Sequence, residues 1–103
     1  MANTDNFLNK IKPLVIADYG TSKVLPSLTI AQAILESAWG TSELAVNANN
    51  LFGIKASNWT GRVYNKETKE YRSDGTVYTV IAAFRAYDDW AGGINDHSIF
   101  LQK

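Results

Sequence analysis

Cysteine is absent from this chain of 103 residues, so neither a disulfide framework nor a thiol nucleophile is available. With one histidine and no cysteine, the usual zinc ligand sets cannot be assembled, which argues against a metal site. Net charge is missing too. Ten basic side chains cancel ten acidic ones, which gives no electrostatic case for nucleic acid or an anionic membrane as partner. No apolar run approaches the roughly 20 residues of a membrane span. The start, Met1-Ala2-Asn3-Thr4-Asp5-Asn6, lacks the basic and apolar regions of a signal peptide. The expectation is therefore export by a holin-like or other non-standard route, or an excised domain.

What is present suits one small domain. The chain is 46% hydrophobic and 12% aromatic, enough for a core and too much for disorder. Five tyrosines and three tryptophans are many for this length, and serve either as core or as stacking surfaces for sugar rings.

The chain is organised around the stretch from Pro26 to Gly40. It reads as a helix with Ser27 as N-cap and Gly40 as the left-handed stop. Glu36 is its only ionisable side chain. A carboxylate on such a helix must be solvated, paired or protonated. It also stands in the last turn, where the helix dipole disfavours an anion. Both effects favour the protonated form, the form that a general acid needs. The competing reading is a rim glutamate that points to water.

Before this stretch, Thr4 or Asp5 is expected to cap a first helix carrying Phe7, Leu8, Ile11, Leu14 and Val15. Pro13 should kink it or start a second segment, and Gly20-Thr21-Ser22 should end it. After it, Thr41 is expected to cap a short helix over 42–47, with Leu44 and Val46 inward. Leu51-Phe52-Gly53-Ile54-Lys55 reads as a strand or a tight turn against the central helix. Period-two alternation follows, with Asp74-Gly75 between β-formers, a hairpin signal over 68–86. Residues 62–65 are a candidate third strand. Asp88 or Asp89 should cap a last helix, with Trp90, Ile94, His97 and Leu101 on one apolar face. Gly92-Gly93 inside it suggests close packing, and His97 reads as structural. The fold class is α+β, with helices, a hairpin and a final helix.

The residues offer no convincing Ser-His-Asp set and no phosphate loop. They offer carboxylates with aromatics: Glu36 on a helix, and Glu67 and Glu70 on the hairpin. Two carboxylates across a cleft are the general requirement of glycoside hydrolysis. Glu67 and Glu70 fall on opposite strand faces, so only one can face a cleft unless a bulge intervenes. Taken alone, each is more simply a solvated strand residue.

The run Ser27-Leu28-Thr29-Ile30-Ala31-Gln32-Ala33-Ile34-Leu35-Glu36-Ser37-Ala38-Trp39-Gly40 closely resembles the signature of the glucosaminidase family of peptidoglycan hydrolases. Asn49-Asn50-Leu51-Phe52-Gly53-Ile54-Lys55 resembles the next family block. Thr68-Lys69-Glu70-Tyr71, Asp74-Gly75 and Ala83-Phe84-Arg85-Ala86-Tyr87 resemble the third. Ile94-Asn95-Asp96-His97-Ser98 resembles the start of the following helix.

The resemblance implies a lysozyme-like α+β fold: a helical lobe plus a small antiparallel β-hairpin lobe that forms one wall of a groove. It implies Glu36 as general acid and Glu70, rather than Glu67, as the second carboxylate. The hairpin lobe of the family moves, and the 2-acetamido group of the sugar is an alternative to Glu70. Asn50, Phe52, Trp59, Tyr71 and Tyr87 are the candidates for binding the glycan or supporting the groove. The implied substrate is the β-1,4 glycan of peptidoglycan, cut as an endo-β-N-acetylglucosaminidase. The alternatives are an N-acetylmuramidase on the same polymer and a non-catalytic glycan-binding fragment. No cofactor or metal is implied, the chain is expected to be a monomer, and its place is the cell wall, as an autolysin or a phage lysin. Family members continue into a segment whose tyrosine lines the site. Here the chain stops at Lys103, so residues 1–103 read as the catalytic domain truncated at its C-terminus.

Overall fold

A computed structural model describes residues 2–102, with the side chains of residues 2 and 3 left aside. Its order is α1 (Ala2–Ser22), α2 (Pro26–Ser37), α3 (Glu43–Ala48), β1 (Val63–Tyr71), β2 (Val77–Arg85) and α4 (Trp90–Leu101). The class is α+β, as expected. The core joins Phe7, Ile11 and Val15 of α1 to Ala33 of α2, Ala45 of α3, Leu51, Phe52, and Trp90 and Ile94 of α4. Asp18 ties α1 to α4 by accepting the Ser98 hydroxyl at 2.6 Å.

Several boundaries differ from the sequence reading for local reasons. α1 already runs at Ala2, so neither Thr4 nor Asp5 is its cap, and Asp5 instead lies in the first turn, where its charge suits the dipole. Pro13 does not break α1. It sits on the exposed face, where water can satisfy the carbonyl that its missing N–H leaves free. α2 begins with Pro26 in the first turn and Leu25 at the N-cap position without a side-chain cap, so Ser27 does not cap it. α3 is capped by Ser42, which accepts from Ala45 N, rather than by Thr41. That start turns Leu44, Ala45 and Ala48 inward and leaves Val46 65% exposed.

The sheet has two strands, paired antiparallel from Val63↔Arg85 to Tyr71↔Val77. Residues 63–65 are the start of the long β1, so the third strand expected over 62–65 does not exist separately. Asp74 accepts from the backbone N–H and the hydroxyl of Thr76, and Gly75 takes φ +89° to turn the chain. Leu51–Lys55 is a turn with one isolated bridge, Lys55↔Phe84.

Asp89 caps α4 by accepting from Gly92 N at 2.9 Å. Of the expected apolar face, Trp90, Ile94 and His97 are buried, whereas Leu101 is 45% exposed. The double glycine is used at Gly93, where a Cβ would lie 2.8 Å from the Asn49 carbonyl oxygen.

Candidate active site

Glu36 stands in the last turn of α2. The buried stripe of that helix is Thr29, Ala33 and Ser37, small residues four apart that let α2 lie close on the core. Glu36 is one residue off this stripe, about 100° around the helix, and is exposed. Burial therefore does not act on it as the sequence suggested. What it gains is an aim. With Gln32, one turn earlier, it lines a groove of about 290 Å³. Phe52 and Ile54 from the turn after α3 form another wall, and His97 and Phe100 from α4 a third. A Cβ on Gly53 would stand 3.9 Å from Glu36 Oε2, so the backbone of this turn passes close beside the carboxylate. The volume lies at the small end of ligand pockets, roughly 300–1,000 Å³.

Asn50 holds that turn in shape. It is 1% exposed. Its Nδ2 donates to the carbonyls of Ile54 and Arg85, both at 2.9 Å, and its Oδ1 accepts from Phe52 N and Ile54 N. Every polar function of the side chain is thereby engaged with backbone. Asn50 supports the groove rather than touching a ligand.

A buried ionic cluster fixes the base of the hairpin to α4. Arg85 donates to Asp96 at 2.9 Å, to Lys55 O and to Ser57 O. Asp96 also accepts the Tyr87 hydroxyl. Burial and the Asp96 carboxylate hold the Tyr87 phenol far above its usual range, so it remains a donor. Arg85 is buried because the strand ends there and the loop over 55–57 folds across it.

The other candidates separate. Phe52 lies in the groove with Glu36. Trp59 and Tyr87 meet edge to face, with ring centroids 5.6 Å apart, in a second depression of about 530 Å³ that also includes Arg62, Asp88 and Asp96. Glu70 and Tyr71 lie at the far end of β1, in register with Tyr78 and Val77, and line neither space. Glu70 belongs to the half-buried face with Tyr64, Lys66 and Thr68, and Glu67 to the exposed one. Tyr64 shows which way the half-buried face looks: its hydroxyl donates to Glu43 of α3 at 2.6 Å.

Of two further groove residues, His97 reads from the sequence as structural and Gln32 is not singled out there. His97 stacks on Phe52 with centroids 3.8 Å apart and planes 11° from parallel. Burial holds its imidazole below the ordinary value, partly offset by the carboxylates of Asp18 and Asp96. Its Nδ1 and the Oε1 of Gln32 are buried without a hydrogen-bond partner. Such atoms are uncommon and each requires an explanation, such as a catalytic role or a water that completes them. The spacing of Gln32 to Glu36, four residues on one helix, was the available signal. Among the described residues no group of three or more His, Cys, Asp or Glu side chains is placed to hold a metal ion.

The chain is similar to known proteins. Residues 12–103 match the glucosaminidase family, described as mannosyl-glycoprotein endo-β-N-acetylglucosaminidase. The exo-glucosaminidase LytG of Bacillus subtilis is 50% identical over 80 residues, covering 78% of this chain and 28% of LytG. The peptidoglycan hydrolase FlgJ of Vibrio parahaemolyticus is 38% identical over 102 residues, covering 94% of this chain and 32% of FlgJ. The chain thus spans at most about a third of these relatives' length. The crystal structure of the catalytic domain of the autolysin Auto from Listeria monocytogenes superposes with a TM-score of 0.87 at 32% identity, covering 98% of this chain and 57% of that one. With the family matched over nearly the whole chain, this protein belongs to the glucosaminidase family.

Proposed function

We propose that residues 1–103 are a catalytic domain that hydrolyses the β-1,4 glycan of bacterial peptidoglycan on the reducing side of N-acetylglucosamine, with Glu36 as general acid. One observation carries this reading: among the described residues, Glu36 is the only carboxylate that lines the groove between α2, the turn over 51–55 and α4. A glycosidic oxygen laid in the groove meets a carboxylic acid at the open end of a helix, beside an aromatic and apolar wall. The acid gives its proton to the leaving oxygen as the bond breaks. Membership of the glucosaminidase family supports the same substrate class.

Glu70 is the proposed second carboxylate. From Tyr64, near the anchored base of the hairpin, it is six residues along the strand, roughly 20 Å at the usual rise. It therefore serves the groove only when the hairpin bends over bound glycan, and then most naturally by activating a water. Its place on the half-buried face supports this role over Glu67. The 2-acetamido group of the sugar is the competing internal nucleophile. The domain acts at the cell wall, as autolysin or phage lysin, and as a monomer.

The test is the chemistry of the product. Digested peptidoglycan should carry new N-acetylglucosamine reducing ends. New N-acetylmuramic acid ends would identify the other β-1,4 bond and refute the assignment. Product length separates endo from exo cleavage.

A further inference from the structure

The chain reverses in an uncommon way immediately after Glu36. Ala38, Trp39 and Gly40 all take left-handed conformations, with φ of +50°, +58° and +78°. Two of the three carry a Cβ, which this region disfavours. Such conformations persist only where the surroundings over-determine them, and they cluster at functional sites. Gly40 has no alternative: a Cβ there would lie 2.8 Å from both Phe7 and Trp90 ring atoms. Trp39 packs edge-on against Phe7 at 5.9 Å.

Ser37 is the residue that ties this turn to the helix. It is fully buried. Its hydroxyl donates to the Ala33 carbonyl one turn back and accepts from Gly40 N at 2.8 Å. Its own carbonyl accepts from Thr41 N and Ser42 N, both at 3.0 Å. One residue therefore links the last turn of α2 and the left-handed turn through its side chain, and the entry to α3 through its backbone carbonyl. Helix ends fray because their final carbonyls lack partners. Here the final turn carries the acid, and an error of about 1 Å in the place of a catalytic group can cost a hundredfold in rate.

We propose that Ser37 is a positioning residue for Glu36: it locks the left-handed turn and so fixes the direction from which the carboxylic acid enters the groove. The proposal rests on the reading of Glu36 as the acid. In Ser37→Ala the Gly40 N–H loses its acceptor, the strained Ala38–Trp39 backbone can relax, and the last turn of α2 gains freedom.

The test compares steady-state cleavage of soluble peptidoglycan fragments by wild type, Ser37→Ala and Val15→Ala. Val15 is a core residue of α1 outside the groove and serves as a control matched for lowered Tm. Ser37→Ala should lower kcat by about tenfold or more with KM within about twofold, while Val15→Ala should leave kcat unchanged. Adding Ala38→Gly, which adopts the left-handed turn without a Cβ, should restore part of the lost kcat. If Ser37→Ala does not fold, Ser37→Cys takes its place in the same comparison. A kcat no lower than that of the control overturns the proposal. Glu36→Gln is measured alongside. Wild-type turnover there refutes the acid assignment, whereas loss there with normal turnover in the Ser37 variants refutes only the positioning role.

Discussion

At the scale of single residues, the groove depends on side chains with unlike duties. Asn50 shapes a wall from behind. Asn50→Ala would leave the N–H groups of Phe52 and Ile54 without their acceptor and the Arg85 carbonyl without this donor, while the Ile54 carbonyl keeps the Arg85 N–H. At about 1–3 kcal/mol for a buried group left unpaired, partly relieved by water, we expect a loss of about 2–3 kcal/mol, read by urea denaturation. His97 is buried and neutral, and this gives stability a pH dependence. Burial lowers its proton affinity in the folded chain, while the unfolded chain takes up a proton near pH ~6.5. As pH falls below about 6.5 the unfolded state binds more protons, so stability falls, and it levels off once folded His97 is itself protonated. His97→Phe, which keeps an aromatic ring on Phe52, should flatten that limb of the stability–pH curve. An unchanged slope between wild type and variant would assign the dependence to other groups.

At the scale of elements, the sequence was most legible where one local signal had no competitor. Asp74-Gly75 gave the hairpin, the pair Asp88-Asp89 the start of α4 to within a residue, and the spacing of Phe7, Ile11 and Val15 the buried face of α1. It was less legible where a tertiary partner decided. Pro13 stays within α1 because its face is wet. Gly40 looked like the helix stop, yet α2 ends three residues earlier, since Ala38 and Trp39 are held left-handed by their surroundings. Periodicity gave the apolar face of His97 but not Phe52, forty-five positions away in sequence and stacked upon it. The burial of Arg85 was likewise invisible, because Asp96, Lys55 and Ser57 come from three separate segments. Removing one partner from that pair should be severe. Asp96→Ala is expected to cost about 3–5 kcal/mol in stability, because it strands a buried guanidinium. A loss under about 1 kcal/mol in denaturant would show that water reaches Arg85. For the hairpin, Glu70→Gln should reduce cleavage more than Glu67→Gln, and the reverse order would mean that the other strand face meets the glycan.

At the scale of the whole molecule, a helical lobe carries the acid and a two-stranded lobe, anchored at one end, carries the proposed second carboxylate. In the helical lobe α1 and α4 pack on each other, and Phe7 and Trp90 close around Gly40 in the turn beyond Glu36. Beyond its base the hairpin has one exposed and one half-buried face, and among the described residues no third strand pairs with it. That division suits an enzyme whose long polymer substrate must enter before the second wall closes, and hairpin motion is then part of turnover. Cleavage is proposed to depend on the carboxylic acid of Glu36. The most direct measurement is the release of reducing ends from purified peptidoglycan by wild type and Glu36→Gln of equal Tm. Glu36→Gln should lose roughly 10²–10⁴ in rate, the usual worth of a general acid, while still binding cell walls. Cleavage by Glu36→Gln at the wild-type rate would contradict that dependence.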